Sequence, residues 1–296
     1  MRLAVTADLH WGVHPGGDRA TRALVQAVRD WSPDALALAG DVGEGEQFGA
    51  CLRLFSGVEG ARLVVPGNHD LWLRGPDTSS LDYYEQTLPA IAAQNGFHYL
   101  DLSPWVAPPG DLSILGSINW YDYSFADPAL LAEFPDAEAM YRRKQFPGGW
   151  HSDGRFVRLG MSDQDFTGRV VERLAGQLAA LPDRISRVIL IQHHPPVREL
   201  FYPTPAQTAD QRFWYAYTGN RRMDALVRTD PRVSWVVCGH VHAACSADLG
   251  RASGRNVGGD YAWKRLLLLD TDTGQEIWQE FGRSSVEPPG ESRLRP

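Results

Sequence analysis

Carboxylate, amide and imidazole side chains stand in five short groups along this 296-residue chain. They are Asp8-Leu9-His10, Gly40-Asp41, Gly67-Asn68-His69-Asp70, His193-His194-Pro195-Pro196 and Gly239-His240-Val241-His242. Oxygen and imidazole-nitrogen donors in this mix suit Mn, Fe, Zn or Ni better than soft-metal or iron–sulfur sites. A carboxylate shared by two such cations holds them roughly 3.5–4 Å apart. A pair so spaced takes a phosphoryl oxygen on each ion and acidifies a bound water, so that hydroxide exists at neutral pH.

Groups so far apart in sequence meet only if the fold gathers them. Each follows a run of β-type apolar residues, at 3–6, 35–39, 62–65, 188–191 and 233–237. Open α/β sheets bind ligands just beyond the carboxyl ends of their strands, so five such ends deliver one cluster. Between the runs, Ala20, Leu24, Val28 and Trp31 repeat at helical spacing. Residues 46–55 form a second predicted helix, and 79–95 a third that Pro89 interrupts and Gly96 stops. Ser162 and Asp165 make a capping pair for a helix with Phe166, Val170, Leu174 and Leu178 on its buried face. Residues 113–116 and 265–270 are predicted strands, the latter the final one.

Two stretches break this rhythm, 117–161 and 197–222. The first is too long and too aromatic for a plain connection. It is expected to cover or border the cluster and to shape substrate choice, while leaving the ligands themselves untouched. Residues 1–282 read as a single domain carrying this elaboration, and 283–296, rich in Ser, Pro, Gly and charge, as a disordered tail.

Composition narrows the partners. Hydrophobic residues make up 43%, ordinary for a chain that buries a large core. A net charge of -7 is a poor footprint for a nucleic-acid polymer, whose binding needs many Lys and Arg contacts to phosphate. Small phosphorylated substrates stay compatible, because two bound cations supply local positive charge. Three cysteines, an odd number without framework spacing, argue against a disulfide-stapled secreted fold. Cys238, just before Gly239, reads as a small buried hydrophobe ending a strand rather than a ligand. No charged-then-apolar leader opens the sequence, and no apolar run nears the roughly 20 residues of a membrane helix. The expectation is a cytoplasmic protein with no membrane partner.

The ordered series D-x-H, GD, GNH-[DE], H and GH-x-H resembles the calcineurin-like metallophosphoesterase superfamily, over residues 8–242. Periodicity alone reaches only an α/β class. The resemblance implies a four-layer α/β/β/α sandwich of two mostly mixed β-sheets flanked by helices. It also implies two divalent or trivalent transition-metal ions, Mn, Fe or Zn. Asp8, His10 and His242 would hold the first, Asn68, His193 and His240 the second, and Asp41 would bridge them. His69 would be a general acid rather than a ligand, with Asp70 holding its imidazole in the working tautomer. The activity implied is hydrolysis of a small phosphodiester or phosphomonoester through a dinuclear metal-bound hydroxide. A nuclease is the first rival, disfavoured by the acidic charge. A non-catalytic scaffold is the second, disfavoured by an intact ligand set with His69 beside it.

Other residues have plainer readings. Side chains alternate along an extended chain, so His193 and His194 do not readily face one ion; the family's ligand stands two residues before a Pro, which selects His193. His14 reads as an exposed loop residue, His98 as a strand residue and His151 as structural. Arg142-Arg143-Lys144 reads as a solvated helix face rather than a phosphate grip. Arg74 and Arg198, each just after a motif, are better placed for that. Trp11, Trp72, Trp120, Tyr121 and Tyr202 could together wall a nucleobase or an aromatic leaving group. Residues 256–259 read as a turn. Glu44 stands where the family often carries an Asp, so contacts near it are expected to differ.

Overall fold

Both faces of the central strands are covered, so they carry apolar residues at consecutive positions, as in Ala35–Ala39, where every residue is buried. The computed structural model describes residues 1–75, 78–201, 205–206 and 208–283. Its strands are β1 Arg2–Thr6, β2 Ala35–Ala39, β3 Ala61–Val65, β4 His98–Tyr99, β5 Trp105–Ala107, β6 Leu112–Ser117, β7 Gln145–Phe146 and β8 Gly149–Trp150. They continue as β9 Arg187–Gln192, β10 Val233–Cys238, β11 Cys245–Asp248, β12 Ser253–Asn256, β13 Lys264–Asp270 and β14 Glu276–Phe281. Two six-stranded sheets result, ordered β14-β13-β1-β2-β3-β4 and β11-β12-β10-β9-β6-β5, with β7 and β8 a separate hairpin. The first sheet has β1 to β4 parallel, with β13 antiparallel to β1 and β14 antiparallel to β13 at one side. The second has β6, β9, β10 and β12 parallel, with β5 and β11 antiparallel at its edges.

The sheets pack face to face. Leu3, Val5, Ala37 and Val65 of one meet Ile114, Ile189, Ile191 and Val237 of the other. On the first sheet's outer face, Ala4, Leu36 and Leu38 pack with Leu24, Val28, Phe48 and Leu52 of helices Pro15–Trp31 and Glu46–Leu54. On the second, Val188, Leu190 and Val236 pack with Leu174, Leu178, Met223 and Val227 of helices Asp163–Ala179 and Arg221–Thr229. This is the four-layer α/β/β/α sandwich.

Local chemistry sets the helix ends. The His14 ring accepts the Gly16 N–H at the start of Pro15–Trp31, so that exposed histidine is a cap. Ser162 accepts the Asp165 N–H and donates to its carboxylate at 2.7 Å. Residues 79–95 are not one helix: a π-turn at Tyr83–Thr87 joins Ser80–Asp82 to Leu88–Gln94. Pro89 has no N–H for the helical ladder, and the register shifts just before it.

Several expectations fail. Residues 265–270 are not the final strand; β14 follows and pairs antiparallel with β13. Asn256 is not in a simple turn but ends β12, opposite Cys238 of β10. The polar strands β11 and β12 carry no apolar run to announce them. The proposed wall also fails in part. Trp120 and Tyr121 are fully buried. The Trp120 indole donates to Asp163 and the Tyr121 hydroxyl to Asp153, both at 2.7 Å. The Trp120 ring packs on Phe166 and the Tyr121 ring on Tyr217. Tyr202 and residues 284–296 of the expected tail lie outside the described residues.

A large buried ring makes its main contribution to stability. Trp120→Ala should therefore cost about 3–5 kcal/mol and lower the melting temperature, rather than re-rank substrates. Calorimetric unfolding of the variant checks this, and an unchanged melt would return Trp120 to the substrate wall.

Candidate metal centre

The five motifs begin where β1, β2, β3, β9 and β10 end. There the chain turns sharply. Asp8, His10, Asp41, His240 and His242 have φ of 55, 42, 52, 74 and 53°, in the left-handed region that costs non-glycine residues about 1–3 kcal/mol each. Two glycines let the turns close on one another. A Cβ on Gly40, at φ 86°, would lie 2.3 Å from His193 Nδ1, and one on Gly67 would lie 2.1 Å from Asp41 Oδ1. The glycines of the GD and GN motifs are thus steric requirements.

The turns bring the seven expected ligands into one cluster, His240 through its grouping with His193 and His194 and Asn68 through its contact with His193. Ligand atoms of Asp8, His10 and His242 lie within 4.8 Å of one another, as do those of Asp8, Asp41 and His193. His10 Nε2 is 3.0 Å from His242 Nε2, and His242 Nε2 is 3.8 Å from Asp8 Oδ1. On the other side, His193 Nε2 is 3.1 Å from Asn68 Oδ1. Asp41 stands between, with Oδ2 3.6 Å from His10 Nε2 and Oδ1 3.4 Å from His193 Nε2. The His193 Nδ1 bonds the Ala39 carbonyl at 3.0 Å, which fixes the ring and leaves Nε2 for the cluster. The His194 ring is turned 82° from it, with Nδ1 on the Ile118 carbonyl at 2.9 Å. Its Nε2 is buried without a hydrogen-bond partner and groups with His193 and His240.

Electrostatics tests whether a cation fits. Burial pushes the Asp8 carboxyl up to about 7. Burial, then Asp70 and Asp8, raise Asp41 well above the usual carboxylate range. Burial likewise drives His10 and His193 down, and takes His240 and His242 to about 3. The imidazoles are therefore neutral, with lone pairs to give, while burial disfavours the charge on both carboxylates. Bound cations satisfy both needs, and the donor set suits Mn, Fe or Zn. The Lys264 amine, fully buried, bonds the carbonyls of Asp8 at 2.9 Å and Asp260 at 2.6 Å.

A pH dependence follows. Below its pKa of about 7, Asp8 holds a proton that a cation must displace. Affinity should rise with pH by up to about tenfold per unit for each proton displaced, and level off once that group is ionised. Histidines titrating near 3 release no proton in that range. Mn²⁺ titrations between about pH 5.5 and about pH 8.5 check this, and a flat profile would contradict it.

His69 lies at the cluster's rim. Its ring stacks on Trp72 with centroids 3.6 Å apart and planes 26° apart. Its Nε2 is 3.9 Å from Asp41 Oδ2, close enough to group with His10 and Asp41 as a possible ligand. The expected Asp70 contact is absent. Asp70 accepts the Gly43 N–H at 2.8 Å and the Gly67 N–H at 2.7 Å, so it ties two motif loops together and does not touch the imidazole. The reason is direction: Asp70 sits on the short helical turn His69–Leu71, where neighbouring side chains diverge. Glu44 takes that place, with Oε1 3.9 Å from His69 Nδ1. The His69 imidazole, followed by Arg74, holds the Glu44 carboxyl below its usual range despite partial burial.

Other expected contacts resolve as follows. Arg74 pairs with Glu44 at 3.2 Å, and Arg198 donates to the Phe125 carbonyl. Arg142 and Arg143 are solvated, while Lys144 pairs with Asp163 at 2.5 Å. Cys238 is buried and ends β10. Two neighbours of the cluster went unread in the sequence. Tyr261 puts its ring 4.4 Å from that of His10. Asp153 accepts a hydrogen bond from Asn68 at 3.0 Å. Neither belongs to a motif. Asp153 also corrects the view that 117–161 leaves the ligands untouched.

No helix among the described residues is long and apolar enough to cross a membrane. No curated protein matches the chain by sequence. Solved structures share its fold. A phosphopantetheinyl hydrolase from Mycobacterium tuberculosis aligns with a TM-score of 0.67 and 21% identity, over 88% of this chain and 89% of that one. A dimetal phosphatase from Danio rerio aligns with a TM-score of 0.58 and 13% identity, over 96% of each chain. The family model for calcineurin-like phosphoesterases matches residues 1–244. With that match over most of its length, and five family motifs meeting at one cluster, the chain belongs to the calcineurin-like phosphoesterase family.

Proposed function

We propose that the chain is a metal-dependent phosphohydrolase acting on a small phosphodiester or phosphomonoester at a dinuclear centre. Asp8, His10 and His242 would hold one ion, and Asn68, His193 and His240 the other. The observation that carries this reading is Asp41, whose two oxygens face His10 and His193 respectively. Ions bound there supply Lewis acidity toward phosphoryl oxygens and an acidified water.

The chain's own residues do the rest. Asn68 presents its amide oxygen beside His193. His69, stacked on Trp72, is held where it can give a proton to the departing oxygen. Glu44 faces the Nδ1 edge of the ring at 3.9 Å, too far for a hydrogen bond. The net charge of -7 favours small substrates over polymers.

The test is a metal-supplemented panel of diesters, monoesters, cyclic nucleotides and nucleotide sugars. A phosphopantetheinyl ester belongs in it, given the name of the Mycobacterium tuberculosis neighbour. Metal-dependent turnover of one class is the expected result. Protein that carries metal and hydrolyses none of them would overturn the reading.

A further inference from the structure

Asp153 is far in sequence from every candidate ligand and is 1% exposed. Its Oδ1 accepts two hydrogen bonds, from Asn68 Nδ2 at 3.0 Å and from the Trp72 indole at 2.7 Å. Its Oδ2 accepts the Tyr121 hydroxyl at 2.7 Å and lies 3.4 Å from His151 Nδ1. Asp153 is thus an acceptor on both oxygens.

An acceptor there decides which way the Asn68 amide faces. A primary amide can swap its ends by a half-turn, and only its oxygen can bind a cation. The oxygen that already accepts the Trp72 indole N–H takes the NH₂ end. The amide oxygen is left 3.1 Å from His193 Nε2. The same Asp153 oxygen anchors Trp72, the ring on which His69 stacks. One atom therefore registers a candidate metal ligand and the support of the candidate proton donor.

We infer that Asp153 is a positioning residue through which residues 117–161 complete the second metal position, by fixing the orientation of Asn68 and Trp72. This rests on the proposed function only in taking Asn68 as a ligand.

The test uses the full chain and Mn²⁺ alone as the probe, without turnover. Asp153→Ala removes the oxygen that takes the Asn68 NH₂ end, so the amide is free to turn. The variant should bind one Mn²⁺ as the parent does, and the second about 10–100-fold more weakly. The electron paramagnetic resonance signal of the coupled Mn²⁺ pair should need correspondingly more metal to appear. In an Asn68→Ala background the same substitution should add no further loss, since Asp153 acts through that amide. A merely structural role would weaken both ions, and in both backgrounds. If Asp153→Ala fails to fold, Tyr121→Phe removes one hydroxyl from the same carboxylate and should weaken the second ion in the same direction, by less than about 10-fold. Parental affinity for both ions in a folded variant, or an equal loss in the Asn68→Ala background, would overturn the inference. A parent that takes up only one Mn²⁺ overturns the dinuclear reading and this inference with it, whereas the other outcomes bear on Asp153 alone.

Discussion

His69→Ala should keep its metal and lose hydrolysis by about 10²–10⁴-fold. In the proposed reading this ring is the proton donor. Trp72 lies flat against it, and Glu44 stands 3.9 Å from Nδ1. The loss should shrink for a substrate with a very good leaving group, because that oxygen needs less protonation. Glu44→Gln should act in the same direction but more weakly, since it removes only the charge beside the ring. The competing assignment is also specific. His69 Nε2 lies 3.9 Å from Asp41 Oδ2, among atoms that could share an ion with His10. Elemental analysis of the variant separates the two. Metal lost in step with activity would make His69 a ligand; metal retained with activity gone would make it the acid.

Much of this centre is legible in the sequence because its parts are local. Each motif follows its own strand, so the strand end supplies position and the motif supplies chemistry. Asp8 and His10 need only β1 and a tight turn, and the GD and GN glycines announce the close approach at Asp41 and Asn68. What the sequence hides is long-range. Asp153 bonds Asn68 across 85 residues, and nothing near Asp153 marks it as different from any other Asp in a helix turn. Lys264 bonds the Asp8 carbonyl across 256 residues and reads as an ordinary strand end. Asp70 fails for a different reason. Adjacency to His69 suggests contact, but on a short helical turn adjacent side chains diverge, and Asp70 serves the backbone instead. Trp120 and Tyr121 fail because an aromatic run in an irregular segment looks the same whether it lines a cleft or fills a core. Only packing tells them apart, and both rings are fully buried.

Asp41→Ala should empty both metal positions, where His10→Ala chiefly empties one. Asp41 turns one oxygen toward each ligand set, 3.6 Å from His10 and 3.4 Å from His193. Outer-shell changes at metal sites cost about 10–100-fold in affinity, so loss of a shared ligand should exceed about 100-fold at each position. Misfolding would mimic this result, but stability moves the opposite way. Burial raises the Asp41 pKa well above its ordinary value in the folded chain. Such a group favours the fold while protonated, and loses that contribution as pH rises through its folded pKa. Toward alkaline pH the metal-free parent therefore loses stability at Asp41, a loss that Asp41→Ala removes. The metal-free variant should melt at or above the metal-free parent there, while only the parent gains stability from added Mn²⁺. Undiminished metal in the variant would end the bridging assignment. A metal-free variant that melts well below the metal-free parent would show that Asp41 is needed for the fold itself, through its bond from the His69 N–H at 2.9 Å.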